Sequence, residues 1–252
     1  MTDYLLVHAA GQGAWSWGRV WGYMTAPVEH PPRLYARRRA NKVHPLDLPG
    51  HGADCRGDTA AVLMSECVQA IVRAVERQEL QDVVLVGHGF AGSLVLQATG
   101  QLSVPPKRLV LIAGIVPDGE KSLLSAFPQR TRSCFQFLSI LSNLFGQDLK
   151  LPRQVISQYL CNGINSMEIV QVIGMFGPLP TRVLKSRVTR DGLEVPCPVS
   201  YVVLTEDRIL PPEVQRSMAE RIPNVEVIEL ESCHEVGLYR PRELADILLS
   251  LA

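Results

Sequence analysis

Six short runs of apolar, largely β-branched residues recur along the chain: Tyr4 to Val7, Val43 to Asp47, Val83 to Val86, Leu109 to Ala113, Val199 to Leu204 and Val225 to Leu230. Runs of this length without polar alternation read as strands buried on both faces, the pattern of a parallel sheet. Segments of helical period lie between several of them. From Thr59 to Gln78 the apolar residues Ala60, Met64, Cys67, Val68, Ile71 and Val75 return every three or four positions, with Glu76 and Arg77 off the stripe. Val214, Met218 and Ile222 repeat in the same way after Pro211, as do Leu244, Ile247, Leu248 and Leu251 after Pro241, and proline suits the first turn of a helix. Strand alternating with helix predicts an α/β fold, with a mostly parallel central sheet covered by helices on both faces.

Between about Ile115 and Pro196 the alternation stops, and the apolar residues gather in helical blocks at Cys134 to Phe145, Gln154 to Leu160 and Ser166 to Phe176. The expected organisation is therefore one structural domain, with a core of residues 1–114 and 197–252 and a helical lid at 115–196. Five of the six phenylalanines (Phe127, Phe135, Phe137, Phe145 and Phe176) fall in that insertion. Such rings either roof an apolar cleft or hold the insertion together.

A chain of 252 residues that is 46% hydrophobic can bury a core without disulfide or metal staples, which excludes disorder and small-scaffold readings. Twenty-five basic residues balance 25 acidic ones, so no overall field steers the protein toward nucleic acid or anionic lipid. Arg33, Arg37, Arg38, Arg39 and Lys42 form a local basic cluster that reads as a solvated loop, because no aromatic interleaving accompanies it. The six cysteines (Cys55, Cys67, Cys134, Cys161, Cys197 and Cys233) form no CxxC pair, and no basic leader precedes the first strand, so reduced thiols and a cytoplasmic location are expected. The apolar runs fall far short of the ~20 residues that span a bilayer. No His/Cys/Asp spacing suggests a metal, and no Gly-rich phosphate motif is present, so no cofactor is expected. The expected partner is a small-molecule substrate, not nucleic acid or membrane, and a homodimer is compatible with the sequence.

The strand Val83 to Val86 leads into Gly87-His88-Gly89-Phe90-Ala91-Gly92 and then into a helix-compatible stretch from Ser93 to Leu102. A tight turn of small residues between strand and helix projects its central residue at the carboxyl edge of the sheet. In this the chain resembles the α/β-hydrolase fold, over nearly its whole length. Val7-His8-Ala9-Ala10-Gly11 followed by Gly13-Ala14-Trp15 is similar to that family's oxyanion loop, and Asp47-Leu48-Pro49-Gly50-His51-Gly52 to its DLPGHG segment. Asp207 matches the family's acid, with Glu206 and Asp118 as competitors, and His234 matches its histidine. The order of turn, acid and histidine is that of the fold. The chain looks most like the plant methylesterase and hydroxynitrile lyase branch and its bacterial relatives.

One position departs from the family pattern. Where G-x-S-x-G places a serine nucleophile, this chain has Gly89, and no side chain attacks from there. Ser93 has already entered the helix and points elsewhere. Cys161 and Cys233 are alternative nucleophiles, but a buried cysteine is usually inert. The resemblance implies that His234 and Asp207 persist as a dyad and that the backbone N–H groups of Phe90 and Ala10 form an oxyanion hole, since backbone donors survive the loss of a side chain. His88, Trp15, Phe127 and Phe135 are candidate substrate contacts. His8 and His51 are expected to brace their loops, whereas His30 and His44 have no partner pattern.

These parts imply an enzyme acting on a small apolar carbonyl or ester-type compound. Its mechanism is either direct hydrolysis by an activated water or general-base chemistry of the lyase, isomerase or cyclase type. Ala10 and Glu235 stand where hydroxynitrile lyases carry threonine and lysine, which argues against cyanohydrin cleavage. The alternatives are a non-catalytic ligand-binding homologue and a serine esterase inactivated by Ser-to-Gly replacement.

Overall fold

The computed structural model describes residues 2–26, 40–54, 58–145, 148–188 and 195–252; Arg33, Arg37, Arg38, Arg39, His30 and Cys55 lie outside them. Six strands, β1 (Thr2–Val7), β2 (Ala40–Leu46), β3 (Val84–His88), β4 (Arg108–Ile112), β5 (Val199–Leu204) and β6 (Glu226–Leu230), form one sheet in the order β2-β1-β3-β4-β5-β6. Every pairing is parallel. All carboxyl ends therefore open on the same edge, and the loops leaving β1, β3, β5 and β6 meet there.

The inner strands β1, β3 and β5 are buried along their whole length, as continuous apolar runs require. The edge strand β6 departs from that expectation. Among the described residues it has no neighbour on one side, and Glu226, Val227 and Glu229 are exposed. Helices α1 (Gly18–Thr25) and α10 (Pro241–Ser250) pack together, as do α2 (Met64–Arg77) and α3 (Ala91–Thr99), giving the two helical layers. Tyr4 is anchored to the first layer by donating its hydroxyl to Leu248 O at 3.1 Å.

The stripe expected from Thr59 to Gln78 is split in two. A 3-10 turn at Thr59–Ala61, capped by Asp58, comes first, and α2 starts at Met64, where the Glu66 carboxylate accepts the Leu63 N–H at 2.7 Å. Cys67, Val68, Ile71, Val72 and Ala74 form its buried face.

Between β4 and β5 lie α4 (Gln129–Phe145), α5 (Arg153–Val155) continuing as a π-helical turn at Ile156–Leu160, α6 (Ser166–Met175) and α7 (Thr181–Lys185). The last is too short for periodicity to reveal. An isolated antiparallel bridge between Ser122 and Arg187 draws the two ends of this segment together. After β5 come α8 (Pro212–Ala219) and, beyond β6, α9 (Val236–Tyr239). Among the described residues no helix is long and apolar enough to cross a membrane.

Candidate active site

Gly89 joins β3 to α3 with φ of +57°, in the left-handed region that disfavours a Cβ. The turn is clamped on both sides: Gly89 N–H donates to Ile112 O at 3.0 Å, and its carbonyl accepts from Gly92 N at 3.0 Å and Ile115 N at 2.8 Å. A Cβ built on Gly89 would stand 3.6 Å from His234 Nε2 and 3.1 Å from Ala9 Cβ. A hydroxyl one bond further would reach the imidazole, so the turn aims at His234. Ser93 is buried on α3 and donates its hydroxyl to Ile115 O at 2.6 Å, away from the site.

His234 follows β6 in the loop before α9, and Asp207 follows β5. The His234 Nδ1–H donates to Asp207 Oδ2 at 2.6 Å, and the Asp207 side chain is fully buried. The second oxygen, Oδ1, accepts Ile209 N–H at 2.9 Å and Leu210 N–H at 3.0 Å. Gln215 on α8 completes the cage by donating to Asp207 Oδ2 at 3.2 Å and to Leu210 O at 2.6 Å, while its Oε1 accepts Leu204 N–H at 2.9 Å. Burial disfavours the charged imidazolium, but the Asp207 carboxylate, by charge and hydrogen bond, and Glu235 together outweigh it and hold the His234 pKa above its ordinary value. Asp207 is thus the acid beside the histidine. Glu206 is only partly buried, and the exposed Asp118 pairs with Lys121 at 2.7 Å.

The loop after β1 faces Gly89 from the other side. Leu48 N–H donates to His8 Nε2 at 3.2 Å, which places the His8 proton on Nδ1, where it donates to Ala9 O at 2.8 Å. Asp47 ties the next segment in by accepting Ala14 N–H at 2.6 Å and Ala53 N–H at 3.2 Å. Gln12 accepts Ala9 N–H at 3.1 Å and donates to the buried Glu235 carboxylate at 2.7 Å, linking this loop to the residue after His234. Desolvation raises the Glu235 pKa against the opposing pull of His234 and Gln12. At Gly11, φ of +76° and the ring of Phe176 leave no room for a side chain. Among the described residues neither Ala10 N–H nor Phe90 N–H has an acceptor.

These elements enclose a cavity of about 40 Å³ lined by Ala9, Ala10, Gly89, Phe90 and His234, and closed by Phe127 and Phe135. That is room for about three or four waters or a small acyl head, since one water needs roughly 10–15 Å³. His234 is the one polar side chain on its described wall. Phe127 and Phe135 pack at 5.5 Å between ring centroids. The other expected contacts lie elsewhere. Trp15 is half-buried off the cavity wall, and His88 is buried beneath His234, with ring centroids 4.7 Å apart. Alternation along β3 turns the His88 side chain away from the direction that Gly89 faces. Desolvation and the neighbouring His234 hold the His88 pKa well below the ordinary range.

Phe176 covers Gly11, and Phe137 points outward, 62% exposed. Cys161 and Cys233 are buried, off the cavity wall, and desolvation raises both thiols, Cys233 to about 12, so neither supplies a thiolate. Gln12, Gln215 and the bracing role of Glu235 escape a sequence reading, because a lone buried glutamine leaves no periodic trace. Among the described residues no cluster of three metal-ligating side chains occurs.

A family model described as "Alpha/beta hydrolase family" matches residues 4–247. The chain is 25% identical over 271 residues to Methylesterase 9 of Arabidopsis thaliana, covering 100% of this chain and 98% of that protein. Among solved structures, an extracellular alpha/beta-hydrolase from a Paenibacillus species, described as sharing homology with tobacco salicylic acid binding protein 2, superposes with a TM-score of 0.83 at 20% identity, covering 100% and 99% of the two chains. Tomato methylketone synthase I in complex with 2-tridecanone superposes with a TM-score of 0.71 at 20% identity, covering 99% and 97%.

Proposed function

The chain belongs to the alpha/beta hydrolase family, and on that footing we propose that it is an enzyme of small apolar carbonyl or ester compounds whose His234–Asp207 pair acts without a serine nucleophile. The observation that carries this reading is His234 Nε2 beside the space a Gly89 side chain would fill, with Nδ1 held by Asp207.

In the hydrolytic form of the reaction, a water in the Gly89 space gives its proton to His234 Nε2, and the resulting hydroxide adds to the ester carbonyl. The Phe90 and Ala10 N–H groups stabilise the oxyanion. When the carbonyl reforms, the leaving alkoxide takes the proton back from His234. No covalent intermediate forms, so neither a burst nor ping-pong kinetics is expected. The family's methylesterases support an ester substrate. We assign residues 115–196 the role of a lid, with 1–114 and 197–252 as the core, because Phe127 and Phe135 close the cavity from that segment.

A second reading is general-base chemistry on a ketone or keto acid. It is favoured by the cavity wall, where among the described residues His234 alone offers a water a polar side chain, and by the complex of tomato methylketone synthase I with 2-tridecanone. Turnover in ¹⁸O-water separates the two: hydrolysis places the label in the acid product, whereas base chemistry leaves it in solvent and exchanges α-protons in deuterium oxide. His234→Ala should lower turnover by orders of magnitude in either case. Unchanged turnover in that variant removes His234 as the base and the proposal with it.

A further inference from the structure

Next to the catalytic cavity lies a larger one of about 380 Å³, and the two share Phe135, Leu151 and Ile209 as a common wall. The walls of the larger cavity are mostly apolar, contributed by α4, α5 and the turn after β5. Two exposed cations, Arg130 and Arg208, stand on it, and among the described residues no acidic side chain does. Neither arginine has an ion-pair partner among the described residues; Arg208 donates to Gln158 O at 3.5 Å, at the limit of a hydrogen bond. The two buried carboxylates of the reaction site are by contrast engaged: Asp207 holds His234, and Glu235 accepts from Gln12.

From this arrangement we infer that the larger cavity is the subsite for the body of the substrate, and that Arg130 and Arg208 recognise a carboxylate on that body. The inference rests on the reading of the smaller cavity as the reaction site and names its substrate class: a medium-length apolar carbonyl or ester compound carrying a carboxylate. Three observations converge on it. The 40 Å³ reaction cavity is too small for more than the reacting head, so the remainder of any larger substrate needs adjoining apolar space. The adjoining volume falls in the range of small-molecule sites. Planar guanidinium groups pair with carboxylates through two parallel hydrogen bonds, and solvated arginines bordering an apolar wall can receive the anion of a ligand whose apolar body is buried beside them. The chain from Asp207 to Pro211 connects the parts, since Asp207 fixes His234, Arg208 is a cation of the larger cavity, and Ile209 lies between the two cavities.

The test is calorimetric binding of octanoate and octanol to the whole protein. Octanoate is expected to bind at least about tenfold tighter than octanol, the worth of a partly solvated charge-assisted hydrogen bond. Added salt should weaken octanoate but not octanol. Arg130→Gln and Arg208→Gln should each raise the octanoate Kd about tenfold and leave octanol unchanged. Octyl phosphate separates the anion classes: octanoate binding at least as tightly supports the carboxylate assignment, and preference for the phosphate overturns it. Equal, salt-independent binding of octanoate and octanol overturns the inference in the unmodified protein, whatever the variants do. Octanoate binding that ignores both arginines but vanishes in His234→Ala also overturns it, because the carboxylate then sits at the imidazole. Octanoate binding retained in His234→Ala and weakened by the arginine variants supports it, binding that ignores the arginines overturns it, and a failure of ester turnover alongside arginine-dependent binding would count against the chemistry alone.

Discussion

At Gly89 a single missing hydroxymethyl group decides which reactions are open. Gly89→Ser places a hydroxyl within reach of His234 Nε2, at the expense of a Cβ 3.1 Å from Ala9 Cβ at φ of +57°. The variant should lose roughly 1–3 kcal/mol of stability by denaturant titration and gain a burst with p-nitrophenyl esters. A serine form without a burst would mean that the oxyanion donors are misplaced. In the native chain His234→Ala should lower kcat by about 10²- to 10⁴-fold, the usual contribution of a general base. Because the His234 pKa is raised, the base form is reached only above its ordinary value of 6.5, and kcat should climb along an acid limb centred above that value. Asp207→Asn removes the principal raising influence and should move the limb to lower pH while reducing kcat, as a pH–rate profile would show.

At the level of elements, α4 and the turn after β3 illustrate what a sequence discloses. The small-residue turn and the runs before and after it were legible because strand, glycine and helix are local signals. Asp207 and His234 stood out as candidates because each follows a strand, with the proline-started α8 and α10 shortly beyond. Gln215 did not, since it occupies a buried position on α8 where a periodic reading expects Val214. Trp15 and His88 show the same limit, because proximity along the chain does not fix the face a side chain takes. The exposure of β6 depends on its being an edge, a property of sheet order alone.

On α4, Phe135 divides the two cavities, and its placement yields a further prediction. Phe135→Ala should cost up to about 3–5 kcal/mol of stability and, by merging the cavities, shift kcat/KM toward longer acyl chains in a homologous ester series. A chain-length optimum that stays in place would mean that Phe135 does not separate them.

For the molecule as a whole, four histidines meet under the carboxyl edge of the sheet, and their titrations oppose one another. Burial lowers the His8 pKa to about 3, and His51 and His88 are lowered mainly by the same cause. A depressed histidine binds fewer protons folded than unfolded, so its contribution is intact above 6.5 and drains away as pH falls toward the folded value. His234 has the opposite sign: its contribution is complete below 6.5 and is lost as pH rises through its raised folded pKa. Three groups against one predict that Tm falls steeply from pH 6.5 toward acid, and that His8→Gln flattens the decline. A Tm that holds constant between pH 6.5 and 4 would show that the three rings are hydrated in the folded protein.

The turn from Asp207 to Pro211 has a bearing on how such a protein diversifies. Its backbone is pinned to the acid by two N–H donors, so a change of shape on that bank disturbs the imidazole as well as the ligand. The opposite bank, built from α4 and α5, has no such tether to the acid. New selectivities should therefore accumulate by mutation on the helical shore while the strand-borne shore stays fixed, and libraries randomised on the two sides should differ sharply in the fraction of members that still turn over.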